Sequence, residues 1–419
     1  MLSNKVLVSA LMIAVSATAA AQSSSNSPYT RYGLGELSDQ GFAYNAAMGG
    51  IGYGIRNSGH INVMNPASFT SVDSLSFMFD AGMSLKRSNF QENGIKSSAQ
   101  NSSFDYLAMQ FRLHPRIGMA ISFTPFSTVG YNFSQSRAVA GREDVTATSV
   151  FYGDGGLQQI TAGLGVKVLK NLSVGVNAGY LYGNISYQNA IGFNTSSDQT
   201  NIYNKINVRS YVADFGIQYT QPLSKTDQLT FGVTYGLGHN LNSTETKGIQ
   251  VTDNQNYSAS NETTIEDSYG IPHKLGVGVA YNRGKNLTAG VDYSFQKWSD
   301  VKYDNQTGLY KDRSKIAAGA EFTPNPIGRN YFKRIRYRVG GYYSTAYLKL
   351  PQYEGPSEYG ISAGFGLPLY LFQRNSVLNI TGQYIKVNPS VAGMLSENRF
   401  VLKIGLTFNE RWFMKWKVN

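Results

Sequence analysis

Leu229-Thr230-Phe231-Gly232-Val233-Thr234-Tyr235-Gly236-Leu237 alternates strictly, with large apolar side chains at the odd positions and threonine or glycine between them. In an extended chain successive side chains point to opposite faces, so a period of two sorts these residues onto one apolar face and one small, polar face. The pattern recurs on either side. Leu172, Val174, Val176, Ala178, Tyr180 and Tyr182 alternate with Ser173, Gly175, Asn177 and Gly179. Leu287, Ala289, Val291, Tyr293 and Phe295 do the same around Thr288, Gly290, Asp292 and Ser294. Phe77, Phe79, Ala81, Met83 and Leu85 open the series, and Phe400, Leu402, Ile404, Leu406 and Phe408 close it.

Alternation alone fits a soluble sheet as well as a membrane barrel. Two features favour the barrel. The polar set is Gly, Ser, Thr and Asn with single charges, which suits a wet or filled lumen. The apolar set often ends in Tyr or Phe, where a lipid-facing strand meets the membrane interface. Tyr 29, Phe 22 and Gly 44 with only 15% charged residues match this class. We therefore expect an all-β, transmembrane antiparallel β-barrel of about fourteen strands. They fall at 74–88, 103–113, 116–135, 146–169, 171–193, 205–221, 228–242, 263–282, 286–302, 313–322, 334–348, 359–370, 376–388 and 398–408. Short turns at His114-Pro115, Lys170, Pro222 to Asp227 and Arg283-Gly284-Lys285 predict the periplasmic side. Longer polar loops at 89–102, 138–145, 194–204 and 243–262 predict the outer side. The stretch 323–333 is long for a periplasmic turn.

The ends predict an envelope protein. Lys5, an apolar run from Val6 to Val15 and Thr18-Ala19-Ala20-Ala21 before the polar Gln22 form a secretory signal, with cleavage expected after Ala21. The run is too short for a spanning helix. The chain has no cysteine, which excludes a lipid-anchored start and fits passage through a periplasm unpaired. Residues 1–21 are thus read as a signal, 22–73 as a segment apart, 74–408 as the barrel and 409–419 as a basic, Trp-containing periplasmic tail. The location implied is the outer membrane, in contact with its lipid and lipopolysaccharide.

The formal charge of +11 is dispersed, without a basic helix or RNA-binding signature, so no nucleic-acid partner is expected. Catalysis finds no support either. His60, His114, His239 and His273 are scattered, no Ser nucleophile has a neighbouring His and acid, and no zinc spacing occurs. Gly49 to Gly54 misses the dinucleotide spacing. No catalytic residue, metal or cofactor is expected.

The segment 22–73 is punctuated by glycine and proline and does not alternate. Its apolar content (Leu34, Leu37, Phe42, Met48, Ile51) argues for burial over a free tail. Gly33-Leu34-Gly35, Ala46-Ala47-Met48-Gly49-Gly50 and Asn65-Pro66-Ala67 before the first strand resemble the hatch of FadL/TodX-type outer-membrane transport proteins. In motif the resemblance covers Tyr32 to Ser68; in architecture it covers the mature chain. It implies a fourteen-stranded barrel with an N-terminal hatch and passive uptake of long-chain fatty acids or aromatic hydrocarbons. It also implies a kink in the third strand that opens the wall sideways; here Pro125, with Phe126 and Gly130, is the candidate, since proline cannot donate to the ladder. A bulge of structural use only is the other reading.

Asn65, Pro66 and Ala67 are expected at the hatch junction, where proline fixes the turn. Tyr29, Tyr32 and Phe42 are the candidate ligand-binding aromatics. Parity puts Asp80, Arg112, Asp214, Asp292, Glu321, Arg336, Arg338 and Lys403 inside, to brace the hatch or to bind an anionic headgroup. Barrels resembling this family also serve as partner subunits in outer-membrane protein secretion and assembly. That alternative, a non-transporting scaffold with an outer-membrane or periplasmic protein partner, stands beside uptake of a hydrophobic small molecule.

Overall fold

The computed structural model describes residues 25–74, 76–253, 258–350, 353–369 and 376–411. The expected signal and the expected tail from 412 onward lie outside the described residues; 409–411, read as the start of that tail, continue the last strand.

Fourteen antiparallel strands form one closed barrel. They are β1 (Ser76–Glu92), β2 (Ile95–His114), β3 (Ile117–Val139), β4 (Arg142–Lys167), β5 (Leu172–Phe193) and β6 (Ser196–Pro222). Two interrupted strands follow: β7 is Asp227–Gly236 then Ser243–Thr252, and β8 is Ser258–Glu266 then Lys274–Arg283. The last six are β9 (Leu287–Gln296), β10 (Arg313–Phe322), β11 (Arg336–Ser344), β12 (Ser357–Leu369), β13 (Ser376–Asn388) and β14 (Ser396–Arg411). The breaks in β7 and β8 lie side by side, where His239–Asn240 pairs with Gly270–Ile271 ahead of Pro272. Closure comes from β14 against β1, in unbroken register from Ser396↔Gln91 to Arg411↔Ser76.

The period of two sorts the side chains as read. Val291, Ile316, Ile361 and Phe400 point out and are half exposed or more, while Asp292, Glu321, Arg338 and Thr381 point in and are buried. No described helix is long and apolar enough to cross a membrane; the crossing elements are strands.

The outer loops differ from expectation. The polar stretches 89–102, 138–145 and 194–204 are continuations of strands joined by tight turns. Asn93 (φ 47°) and Gly94 (φ 83°) make the β1–β2 turn, both in the left-handed region that a two-residue hairpin needs. At about 3.3 Å per residue, β3 to β6 reach well beyond the roughly 30 Å of a bilayer core, so a tall wall rises on the outer side. Near the tips, as from Lys96 to Ser98 and from Gly141 to Asp144, both faces are exposed, which is why the sequence there lost the apolar period. The long connection after β10 is retained as a loop with a short 3-10 turn at Phe332–Arg334.

Ser25 to Val72 touches inward-facing residues around the ring, from Gln110 on β2 to Glu397 on β14, so it lies within the barrel. The segment holds a short helix at Ala43–Ala46 and a 3-10 helix at Pro66–Ser71.

Candidate functional site

The lumen is built by backbone packed on backbone. Pro66–Ser71 lies on the periplasmic half of β3 to β6, where the wall offers glycines. A Cβ on Gly118 would sit 2.0 Å from the Phe69 carbonyl oxygen, and one on Gly216 2.1 Å from Asn65 Oδ1. These small inward positions let the segment approach closely. Asn65 caps the 3-10 helix by accepting from the Ala67 amide at 3.1 Å. Its amide donates to the Tyr53 carbonyl (2.9 Å) and to the Ile217 carbonyl on β6 (3.2 Å). Pro66 begins the helix, where a missing donor costs nothing.

Higher up, wall side chains satisfy the segment's backbone. Asp292 accepts from the amides of Gly52 (2.6 Å) and Tyr53 (2.8 Å). Thr381 donates to the Ala43 carbonyl at 2.9 Å and Gln383 to the Ala46 carbonyl at 3.2 Å. Arg338 pairs with Glu321 at 2.6 Å, both buried, and its guanidinium lies 4.7 Å above the Tyr44 ring. Arg336 donates to the His60 imidazole, which burial and then Arg336 and Arg338 push well below its usual pKa, so the ring is neutral and can accept.

The predicted interior charges therefore divide. Asp292, Arg336 and Arg338 touch the segment; Glu321 acts through Arg338. Asp214 pairs with Lys274 and Lys403 with Asp105, wall to wall, and Asp80 accepts from Thr407. Arg112 is a correction. It donates to the His114 and Pro115 carbonyls and to Ser74, so it ties the periplasmic turn and does not reach the segment.

The strongest charged grip was not read from the sequence. Glu36 accepts from Arg399 (2.8 Å) and Lys86 (3.1 Å), and Asp39 from Lys315 (2.6 Å). Burial alone would raise the Glu36 carboxyl, but Arg399 and Lys86 outweigh it and hold it at about 2. These charges line two cavities of about 120 and 290 Å³ around Leu37 to Gly41. The larger is ringed by Glu36, Lys86, Asp105, Arg313, Glu358, Arg399 and Lys403.

Of the three candidate aromatics, Tyr29 and Tyr32 lie together and Phe42 lies apart. Phe42 stacks on Tyr106 at 4.0 Å in the middle of the lumen. Tyr29 packs with Leu350 and Val387 and donates to the Leu395 carbonyl at 2.6 Å, under the outer turns. Tyr32 packs against that cluster and against a larger one, where Leu34 of the segment meets Val129, Leu157, Leu181, Trp298, Tyr310 and Tyr347. The larger cluster is filled by the chain's own side chains.

At Pro125 the wall changes. Phe126 is the extra residue of a bulge against β4, between Pro125↔Gln158 and Ser127↔Leu157. Pairing of β2 with β3 runs only from His114↔Ile117 to Leu107↔Phe123. Beyond it β2 stays joined to β1 and β3 to β4, but no described strand joins β2 to β3. β3 is met there by the segment. Glu36–Leu37 pairs with Thr128 and Ser127, the Ser38 amide donates to the Phe126 carbonyl (3.0 Å), and Thr30 bonds both backbone groups of Gly130. The charged cavity reaches this open seam at Ser103 to Tyr106 on one side and Thr124, Pro125 and Thr128 on the other.

Several solved outer-membrane channels share this fold. The CymD monoaromatic hydrocarbon channel superposes with a TM-score of 0.60 at 14% identity, over 91% of this chain and 100% of that one. The Ralstonia pickettii toluene transporter TbuX gives 0.59 at 12%, over 88% and 98%. A Pseudomonas aeruginosa FadL homologue gives 0.60 at 12%, over 89% and 99%. No curated protein matches the chain by sequence. At such identities the likeness is one of barrel fold. The family itself is a different one: the BamG family model matches residues 1–419, and the chain belongs to the BamG family.

Proposed function

We propose that this barrel resides in the outer membrane as a non-transporting partner subunit of a protein assembly machine. One observation carries the reading: the cavities around Leu37 to Gly41 are small and charged, while the one large apolar hollow among the described residues, of about 1070 Å³, is lined by outward-facing wall residues such as Leu85, Val339, Ile361 and Phe400. The lumen's apolar cluster is occupied by Leu34 and the wall's own aromatics, and its cavities are ringed by paired charges. Ligand pockets for small molecules are mostly apolar and of about 300 to 1,000 Å³. A hydrocarbon entering here would strand buried ions without water, at a cost no apolar contact offsets. Membership of BamG, and the 10–14% identity to the hydrocarbon channels, support the same choice.

Passive uptake of hydrophobic molecules is the second reading, favoured by the open seam beside Pro125. Purification in mild detergent separates the two. A stoichiometric protein partner with no lumenal hydrophobe supports the subunit reading; a solitary barrel carrying fatty acid or hydrocarbon overturns it.

A further inference from the structure

The hollow of about 1070 Å³ lies on the outward face of the wall, across the seam where β14 meets β1. Two neighbouring register rows build it. Val339, Ala363, Gly382, Leu402 and Leu85 are partners in turn along one row. Ile361, Tyr384, Phe400 and Arg87 form the next row towards the outside. The floor is low at Gly382, where an added Cβ would meet only the Ala363 carbonyl oxygen, at 4.0 Å. Packing of the wall does not require glycine there; what it supplies is depth. The trough crosses five strands, roughly 19 Å at about 4.8 Å per spacing, which is the order of an extended acyl chain.

Its outer rim is cationic. From this trough to the outer tips, the outward positions of β12, β13, β14, β1 and β2 carry Lys386, Arg87 and Lys96 and no acid. Arg87 is exposed, and neither it nor Lys386 has an ion pair among the described residues. Phe77 stacks on Phe111 near the periplasmic end of β1. From Phe77 to Arg87 the strand climbs about 34 Å, or about 26 Å of height at a tilt of ~40°. The apolar band of such a barrel has that height, so Arg87 emerges at the level of the outer headgroups. Tyr384, whose hydroxyl donates to Asn398 at 2.9 Å, borders the same level.

Arg87 and Lys386 are two strand spacings and one row apart, roughly 12 Å between Cα atoms, so both long side chains can reach one anion. An apolar face of a partner protein would fill the trough but leave these cations without a counter-charge. A molecule with an anionic head and an apolar tail answers both halves, and arginine matches a phosphate with paired donors.

We propose that this trough binds a phosphorylated lipid of the outer leaflet, its phosphate between Arg87 and Lys386 and an acyl chain along Leu85, Leu402, Gly382 and Ala363. The site faces the membrane and stands whichever reading of the lumen holds.

The test uses the full-length barrel in phosphatidylcholine nanodiscs containing a small fraction of bisphosphorylated lipid A, with native mass spectrometry counting the lipid retained. We expect lipid A on the parent and at least fivefold less on Arg87→Gln with Lys386→Gln. Lys225→Gln with Lys285→Gln removes the same charge from exposed turns at the opposite end and should retain it as the parent does. Gly382→Trp keeps both cations but fills the trough, and should lose the lipid at least fivefold. Heat-modifiable migration checks that each variant is a closed barrel; if Gly382→Trp fails it, the cation pair still decides. Retention unchanged in the Arg87 and Lys386 pair, or lost equally in the Lys225 and Lys285 pair, overturns the proposal. So does equal retention of dephosphorylated lipid A by the parent. A photo-crosslinking residue at Ile361 in native membranes should yield a lipid adduct; a protein adduct in its place would give the trough to a partner and overturn the lipid.

Discussion

Two seams of the same barrel behave in opposite ways. Between β14 and β1 every residue from Ser396 to Arg411 has a partner, although the strands come from opposite ends of the sequence. Between β2 and β3, neighbours joined by a turn, pairing stops at Leu107↔Phe123. Proximity in sequence therefore does not decide where the wall is tight. The closed seam has strands of unbroken period; the open one has Pro125, a bulge at Phe126 and a polar upper half.

The largest expected effect lies in the closed wall. Arg338→Ala leaves Glu321 buried without its cation and Tyr44 without its guanidinium, and should cost about 3–5 kcal/mol. Denaturant titration of the heat-modifiable band measures it; a loss below about 1 kcal/mol would mean that the pair is not buried as described.

Proline scanning contrasts the seams directly. β14 is paired on both sides, so Ile404→Pro and Gly405→Pro should each destabilise by about 3 kcal/mol or more. On upper β2 adjacent amides point to opposite edges, and one edge pairs with no described strand. One of Ser98→Pro and Ala99→Pro should then be clearly better tolerated than the other. Equal damage at both would show a second partner strand on β2.

Acid should loosen the segment near the open seam before the wall. The Glu36 carboxyl sits at about 2 when folded against an ordinary 4.5, so its contribution is complete above 4.5. As pH falls from about 4.5 towards 2 that contribution is lost, because the unfolded form takes up the proton first. Limited proteolysis at 25–40 should accelerate over this window, and Glu36→Gln should weaken the pH dependence, leaving the part that Asp39 carries through Lys315. Cleavage unchanged down to pH 2 would contradict the pairing.

The smallest effect is expected at Pro125. Pro125→Val restores a donor and should change stability by less than about 1 kcal/mol. Hydrogen exchange should show new protection between Thr124 and Ser127 if the proline keeps the seam apart. Toluene entry into vesicles should not change; a several-fold slowing would favour the hydrophobe-uptake reading.

The barrel was largely legible because lipid on one face and a packed lumen on the other impose the period of two. The strands 313–322 and 376–388 match β10 and β13 to the residue. Upper β1 to β6 escaped that logic: Lys96-Ser97-Ser98 has water on both faces, so no apolar period survives, though Asn93-Gly94 was a turn signal in plain sight. Asp292 and Arg338, read as interior by parity, are buried. Parity could not tell which interior charge meets the segment, because partners such as Asp39 and Lys315 are brought together only by the fold. Nor could it say that Tyr29 and Phe42 would lie apart, since a segment without regular structure carries no spacing from which distance follows.

The Ser27 hydroxyl donates to Glu397, 370 residues downstream. That bond joins the first described turn to the last strand, across a ring that closes around the segment. This predicts an order of events in biogenesis: the N-terminal segment enters before β14 meets β1, and the ring closes around it. Contacts of such long range are paid for in loop entropy before they yield anything, which predicts slow maturation with a late committing step. A pulse-labelled chain truncated before β14 should accordingly keep residues 25–40 open to protease.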